Sequence, residues 1–440
     1  MNEQIKDLLQ NPYDNYIYAY PHKKAYREFQ KPMSLKELWG KSEKNNLTLY
    51  IHIPFCMNKC GYCNLLSSVS YDDEKLKRYV NKLIEEIEAL GRILEIENSN
   101  QIFSSVIFGG GTPTLLNESD LRRLLEAIIK NLKIDFNKTF LSMESSPRTL
   151  TKSMLELLKE YKVDRISIGV QSFHENELKG IFRLEPVEEI DRALQLMFSN
   201  NIPIRNIDLI YGLKEQTMDT WEKSLREALT YNPEEIFIYP MYIREKTGLF
   251  SSFQRDEDLM IKMYKFALDL LRDKGYIQTS MRNFIRGDKK RELFPEYSCQ
   301  ENNMVGVGCG ARGYVDNIHY SRPYAVMQKN INAIINDYIQ EDNFEYAKYG
   351  YILNEDEQKR RYILKSILKI TGLNIKDYEN KYKKSPLDEF KELNSLISEK
   401  FLINENDRIY PTDKGLMYSD IIGNLFISED VNTKVIDFTE

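Results

Sequence analysis

Few cysteines, no long apolar run and no excess of basic residues set the first limits on this chain. Five cysteines in 440 residues are odd in number and unevenly spread, which excludes a stapled secreted framework. No apolar run approaches the ~20 residues that span a bilayer. The opening residues, Met1-Asn-Glu-Gln-Ile-Lys, carry no signal-peptide pattern. The expectation is a cytoplasmic protein, free of membrane, with reduced thiols. The 61 basic residues stand against 67 acidic ones, a net charge of −6, so nothing points to a nucleic-acid partner. Low-complexity segments are absent.

What is present is enough apolar material, 42% hydrophobic and 12% aromatic, for a large core. Residues 1–46 are polar and aromatic, and Pro12, Pro21 and Pro32 break any long helix. They read as an N-terminal arm lying on the main body, as a surface wrap or a lid. A regular alternation follows. Strand patterns at Leu47–His52, Ser105–Phe108, Thr139–Glu144, Arg165–Val170, Ile204–Tyr211 and Glu235–Tyr239 alternate with six helical patterns, Asp73–Glu95 to Glu257–Lys274. A seventh short strand is expected at Gln278–Arg282. This is an α/β chain: a partial (β/α)6-7 TIM-like barrel over residues 47–290. Residues 291–440 read as a glycine-rich closing segment, irregular over Leu293–Gly313, then a mostly helical, winged-helix-like module. In that module a helix at Pro386–Lys400, a hairpin around Asn404–Asp407 and a helix at Lys414–Phe426 are expected. Its mixed-to-acidic helices suit packing against the barrel better than DNA.

Three of the five cysteines fall within eight residues, in Tyr50-Ile-His-Ile-Pro-Phe-Cys56-Met-Asn-Lys-Cys60-Gly-Tyr62-Cys63. Three thiolates spaced Cys-x3-Cys-x2-Cys suit an iron–sulfur cubane with one iron left open. With His52 they also suit a Cys3His zinc site, and this stretch alone allows both while favouring the cluster slightly. Other ligand-competent residues sit where strands end: Gly109-Gly110-Gly111-Thr112-Pro113-Thr114, Glu144, Gln171, Asp208 and Tyr239-Pro240. In a parallel barrel those are the functional positions.

The strings Tyr-Ile-His-Ile-Pro-Phe-Cys, Phe-Gly-Gly-Gly-Thr-Pro-Thr, Arg-Ile-Ser-Ile-Gly-Val-Gln-Ser-Phe and Asn-Ile-Asp-Leu-Ile-Tyr-Gly-Leu resemble one family. It is the oxygen-independent coproporphyrinogen III oxidase-like family of the radical S-adenosylmethionine (radical SAM) superfamily. The resemblance covers roughly residues 47–320. It implies that Cys56, Cys60 and Cys63 ligate a [4Fe-4S] cluster whose fourth iron binds SAM. It also implies that Tyr50, Glu144, Gly110, Gly111 and Thr112 line the methionine end of SAM. Gln171, Arg183 and Asp208 would hold ribose and carboxylate, Tyr62, Ile210 and Met241 would lie against adenine, and Arg312 would sit in the segment closing the site. The implied activity is reductive SAM cleavage in an oxidoreductase of porphyrin biosynthesis. It would act on a tetrapyrrole or other organic small molecule, with a flavodoxin- or ferredoxin-type low-potential donor. A haem chaperone and a class C methyltransferase are the related alternatives.

Three departures mark an atypical branch. Leu65 stands where the oxidase carries a further cysteine. Gln300-Glu-Asn-Asn-Met304 lacks the histidine of the haem chaperones. The sixth strand runs into Tyr-Pro-Met-Tyr-Ile-Arg244-Glu in place of an Ile-Glu-x-Gly-Thr pattern. Cys299 and Cys309 are expected to be structural.

Overall fold

The computed structural model describes residues 9, 12–13, 19–96, 103–288 and 303–440. Cys299 and residues 300–302 therefore lie outside the described residues. In chain order the strands are β1 (Arg27–Ser34), β2 (Leu47–Ile53), β3 (Phe103–Gly110), β4 (Phe140–Ser145), β5 (Arg165–Gln171), β6 (Ile204–Tyr211), β7 (Glu235–Pro240), β8 (Tyr276–Gln278), β9 (Asn283–Arg286), β10 (Met304–Val307), β11 (Arg312–Val315), β12 (Ile318–Ser321) and β13 (Tyr346–Ile352). They form one sheet in the order β1-β13-β12-β11-β10-β2-β3-β4-β5-β6-β7-β9-β8.

The six expected βα units are there, each boundary within a few residues of its sequence pattern. The helices are Asp73–Ile93, Glu118–Leu132, Lys152–Glu160, Val187–Phe198, Met218–Thr230 and Glu257–Asp273. Five of them start behind a side-chain cap, from Asp72, Asn117, Thr151, Thr217 and Asp256. β2 through β7 pair in parallel, and nearly all their apolar side chains are fully buried, as expected of a parallel sheet covered by helices.

The seventh parallel strand is not where the sequence pattern put it. Gln278–Arg282 falls on a hairpin turn: β8 and β9 are antiparallel, and β9 runs antiparallel along β7. Side chains hold β9 there, Asn283 Nδ2 donating to Glu235 at 3.0 Å and Arg286 pairing with Glu234 at 3.4 Å. The seventh parallel strand is β10, which flanks β2 on the side away from β3, with Gly306 opposite Tyr50. The stretch read as irregular thus contains β10 and the start of β11, and its glycines permit close strand packing. β11, β12 and β13 continue the sheet in antiparallel fashion.

The N-terminal arm is more than a surface wrap. β1 is the edge strand on β13, and Trp39 is fully buried. Tyr20, Ala25 and Tyr26 enter a second apolar core built mainly from residues 351–431. There the strands β14 (Leu373–Asn374), β15 (Leu402–Glu405) and β16 (Arg408–Pro411) form a small sheet. β15 and β16 are joined at Asn406–Asp407, both left-handed, the two-residue turn that a twisted hairpin favours. The two helices expected around it are each broken, at Phe390 and at Tyr418. Phe390 takes extended backbone because its ring is buried in this core. No helix among the described residues is long and apolar enough to cross a membrane.

Arg165 and Glu235 pair at 2.7 Å inside the sheet, at side-chain exposures of 7% and 5%. Arg165→Ala strands a buried carboxylate and is expected to cost about 3–5 kcal/mol in urea unfolding. The double variant Arg165→Met/Glu235→Leu is expected to recover most of that loss.

Candidate functional site

The cysteine loop follows β2 and is pinned from three sides. The Cys56 N–H donates to the Ser68 carbonyl at 3.0 Å, the Cys63 N–H to Cys60 at 3.1 Å, and the Gly61 N–H to Ile181 at 2.9 Å. The glycine motif after β3 lies along the same stretch, Gly111 N–H on Ile53 at 2.7 Å and Thr112 N–H on Phe55 at 2.8 Å. All three thiols are partly buried. Burial and the neighbouring Cys63 push the Cys56 thiol up to about 12. Cys60 is also raised by burial, although Arg183 acts against the rise. Each of these thiols feels its neighbours, so three thiolate donors lie together on one partly buried loop. The donor set therefore fits a bound metal cluster.

It does not fit the Cys3His zinc alternative. His52 faces away from the thiols, with Nε2 on the Leu66 carbonyl at 2.9 Å. Its ring is wedged between Gly110 and Gly310, where any Cβ would collide with it. Among the described residues no group of three or more His, Cys, Asp and Glu is arranged around a single ion. A cubane differs in that each thiolate takes a different iron. Gly310→Ala is expected to push the imidazole off Leu66 and to cost about 1–3 kcal/mol by overpacking, read as a lowered urea midpoint.

Inside the barrel two carboxylates face each other. Glu144, at the end of β4, accepts from Gly110 N–H at 3.2 Å. Burial and the charge of Asp208 raise it to about 7, against the pull of Arg165. Tyr50 stands beside it: a Cβ on Gly109 would lie 2.9 Å from Glu144 Oε2 and 3.0 Å from the Tyr50 hydroxyl. Asp208, on β6, accepts from Ser167 at 3.1 Å and Asn206 at 2.7 Å. Burial raises it to about 6, with Arg165 opposing.

Gln171 and Arg183 meet over Gly169, where a Cβ would lie 2.6 Å from Gln171 Nε2 and 3.4 Å from Arg183 Nη1. A bulge in β5 and a left-handed Gln171 (φ 70°) aim that amide inward. Arg183 is buried, 3.5 Å from Glu185, and its charge reaches Cys60 and Tyr62. Tyr62 is a partly buried phenol held well above its ordinary range by desolvation. Ile210 and Met241 are buried apolar side chains at the ends of β6 and β7. Arg312 stands apart, on β11, 3.3 Å from the Tyr314 hydroxyl. Its charge is felt by His22, Lys23 and His319.

Several participants were not identified from sequence. Arg165, Ser167 and Asn206 share the inward face with Glu144 and Asp208. Their signal is the period-two placement of polar residues, Arg165/Ser167 and Asn206/Asp208, in otherwise apolar strands. Lys23 carries no such signal. It is buried on the arm, donates to the Gly310 carbonyl at 3.0 Å, and is lowered to about 7 by burial and by Arg312.

The profile of the Radical SAM superfamily matches residues 50–228, the span from β2 into the helix after β6. The heme chaperone HemW of Escherichia coli is 31% identical over 284 residues, 61% of this chain and 70% of that protein. The chain belongs to the radical SAM superfamily, in its oxygen-independent coproporphyrinogen III oxidase-like family. The oxygen-independent coproporphyrinogen III oxidase of Pseudomonas aeruginosa is 25% identical over 395 residues, 86% of this chain and 83% of that one. The solved structure of coproporphyrinogen III oxidase (HemN) from Escherichia coli superposes with a TM-score of 0.78, covering 96% of this chain and 98% of that one. At 20% identity that likeness speaks for the fold. As a radical SAM protein, this chain uses a [4Fe-4S] cluster and SAM.

Proposed function

We propose that this radical SAM protein is an oxidoreductase acting on a tetrapyrrole or related small molecule, with electrons from a low-potential donor. The observation that carries the reading is the convergence of the thiol loop, the Gly110–Thr112 motif and Glu144 at one end of the sheet. When bound, the cluster and SAM supply a 5′-deoxyadenosyl radical by one-electron reductive cleavage.

The chain's own residues do the rest. Cys56, Cys60 and Cys63 hold the irons. Glu144, with Tyr50 beside it, receives the ammonium of SAM, and that pairing favours its ionised form. Arg183 stays cationic and suits the SAM carboxylate. Gln171 and Asp208 hold the ribose, the latter oriented by Ser167 and Asn206. Backbone at Gly110 and Gly111 lines the methionine end. Tyr62, Ile210 and Met241 give adenine an apolar wall, and Arg312 belongs to the closing side. The buried Gln171, Arg183, Ile210 and Met241 help to keep water from the site.

A haem-carrying role is the second reading, favoured by the 31% identity to the chaperone HemW. The sequence of residues 300–304, without the chaperone histidine, favours the enzyme. Anaerobic reconstitution followed by SAM and dithionite separates the two. 5′-Deoxyadenosine, with hydrogen drawn from a tetrapyrrole, is the expected product. Stoichiometric haem uptake with no SAM cleavage would sink the enzyme reading.

A further inference from the structure

We propose that two side-chain hydroxyls, those of Thr112 and Ser67, donate to the cysteine sulfurs of the cluster and set its reduction potential. The inference rests on the assignment of Cys56, Cys60 and Cys63 as the cluster ligands. It gives Thr112 a role different from lining SAM.

Thr112 Oγ1 lies 3.6 Å from Cys56 Sγ. That approach is built in. The Thr112 N–H is anchored on the Phe55 carbonyl at 2.8 Å, so the motif continues the parallel pairing of β2 and β3 alongside the entry of the cysteine loop. Thr112 is buried, and its β-branched side chain has few rotamers available beside Cys56. Ser67 Oγ lies 3.9 Å from Cys63 Sγ, and its hydroxyl is felt at Cys56 as well. It too is held. The next residue, Ser68, exchanges backbone bonds with the start of the loop, donating to Pro54 at 2.7 Å and accepting from Cys56 at 3.0 Å. The Ser67 carbonyl takes Lys59 Nζ at 3.4 Å. Ser67 is 1% exposed, and a sulfur is the acceptor within reach of its hydroxyl.

A buried hydroxyl donor without a strong acceptor is costly, so each side chain is better satisfied by a thiolate than by the neutral thiol. A hydrogen bond to a cluster sulfur stabilises the more negative, reduced state over the oxidised one, and hydrogen bonds of this kind are among the levers that set cluster potentials. Two hydroxyls acting on Cys56 and Cys63 thus raise the potential. The charges of Lys59, felt at Cys63 and Cys56, and of Arg183, felt at Cys60, act in the same direction. The Arg183 charge is expected to be partly neutralised once SAM is bound; the two hydroxyls remain.

The test uses full-length protein reconstituted anaerobically, with iron content and cluster absorbance measured before a redox titration followed by electron paramagnetic resonance. Thr112→Val and Ser67→Ala are each expected to keep full iron and to lower the midpoint. At the wild-type midpoint the reduced-to-oxidised ratio falls roughly three- to tenfold, a tenfold change being about 59 mV for a one-electron couple. Thr112→Ser restores the wild-type value. Thr114→Val, whose hydroxyl bonds Thr149 at 2.6 Å, leaves it unchanged. An unshifted midpoint in fully loaded Thr112→Val and Ser67→Ala overturns the proposal. If Thr112→Val loads poorly, Ser67→Ala decides the matter by itself. Retention of the cluster in Cys56→Ala would instead overturn the ligand assignment, a separate failure read from iron content alone.

Discussion

Alanine at Cys56, Cys60 or Cys63 is expected to abolish the cluster. Iron per chain falls from about four to near zero, the visible absorbance near 400 nm disappears, and SAM cleavage drops to the level of protein-free controls. The physical basis is the openness of the site: with one iron reserved for SAM, three thiolates are the whole of the protein's grip, and losing one leaves two corners undefended. The fold itself is expected to survive, because each thiol is only partly buried and the loop is held by backbone hydrogen bonds from Ser68, Ile181 and Leu249 that alanine keeps. Circular dichroism and urea midpoints of the three variants should therefore match the wild-type apo-protein. Cys309→Ala provides the contrast. Cys309 is fully buried against the Tyr79 hydroxyl at 3.4 Å, away from the loop, and its loss should leave the iron content unchanged. If iron content in the three loop variants stays at the wild-type level, the cluster is held elsewhere.

The second large effect is expected at Glu144. On the proposed assignment, Glu144→Gln removes the carboxylate that pairs with the SAM amino group. A hydrogen bond to a charged group contributes about 1.5–3 kcal/mol, so SAM affinity should fall by roughly 10- to 150-fold. The pH dependence is the more specific signature. In the SAM-free protein Glu144 is raised to about 7, first by burial and then by Asp208. Wild-type affinity should weaken progressively as pH falls below about 7, because the proton must leave before the ammonium can pair. Glu144→Gln should show no such dependence over that range.

Stability must move the other way. A carboxyl raised in the folded state binds more protons there than in the unfolded chain, so folding stability falls as pH rises from the ordinary carboxylate range through about 7. Above that pH Glu144→Gln should stabilise the SAM-free protein while crippling SAM binding, the trade expected of a residue kept for function. Chemical denaturation at pH 6 and pH 8 measures the first effect, and equilibrium binding of SAM to the reconstituted protein measures the second. A flat pH profile of wild-type SAM affinity between pH 6 and pH 8 would remove Glu144 from this role.

Much of this was legible before any coordinates. The six βα units were read from hydrophobic period, and the structure moves their ends by a few residues. These are local signals: an apolar strand between helices with one apolar face must form a parallel layer, whatever the rest of the chain does. The cysteine spacing and the residues at strand ends were legible for the same reason. Barrel topology sends every residue at the C-terminal end of a strand to one rim.

The rest depended on contacts distant in sequence. Nothing near Met304–Val307 says that it pairs in parallel with β2, more than two hundred residues earlier, and its glycines read locally as a loop. Nothing near Arg27–Ser34 says that it caps the sheet on β13. The mostly helical reading of the C-terminal segment missed β13, whose tyrosine-rich pattern finds its partners in β1 and β12. Strand pairing is a relation between segments, and register is decided where the segments meet.

The same division runs through the site. The sequence by itself determined which chemistries are available: three thiolates, a glycine loop, two carboxylates and a cation on one barrel rim. Only the tertiary structure decided what each group faces. It turned His52 away from the cysteines, which no spacing could reveal. It brought the charge of Arg165 within reach of both Glu144 and Asp208, and it placed the hydroxyls of Thr112 and Ser67 against the sulfurs of Cys56 and Cys63. Donor identity is written residue by residue, but acidity, redox potential and hydrogen-bond partnership belong to a neighbourhood, and that neighbourhood exists only once the chain has folded.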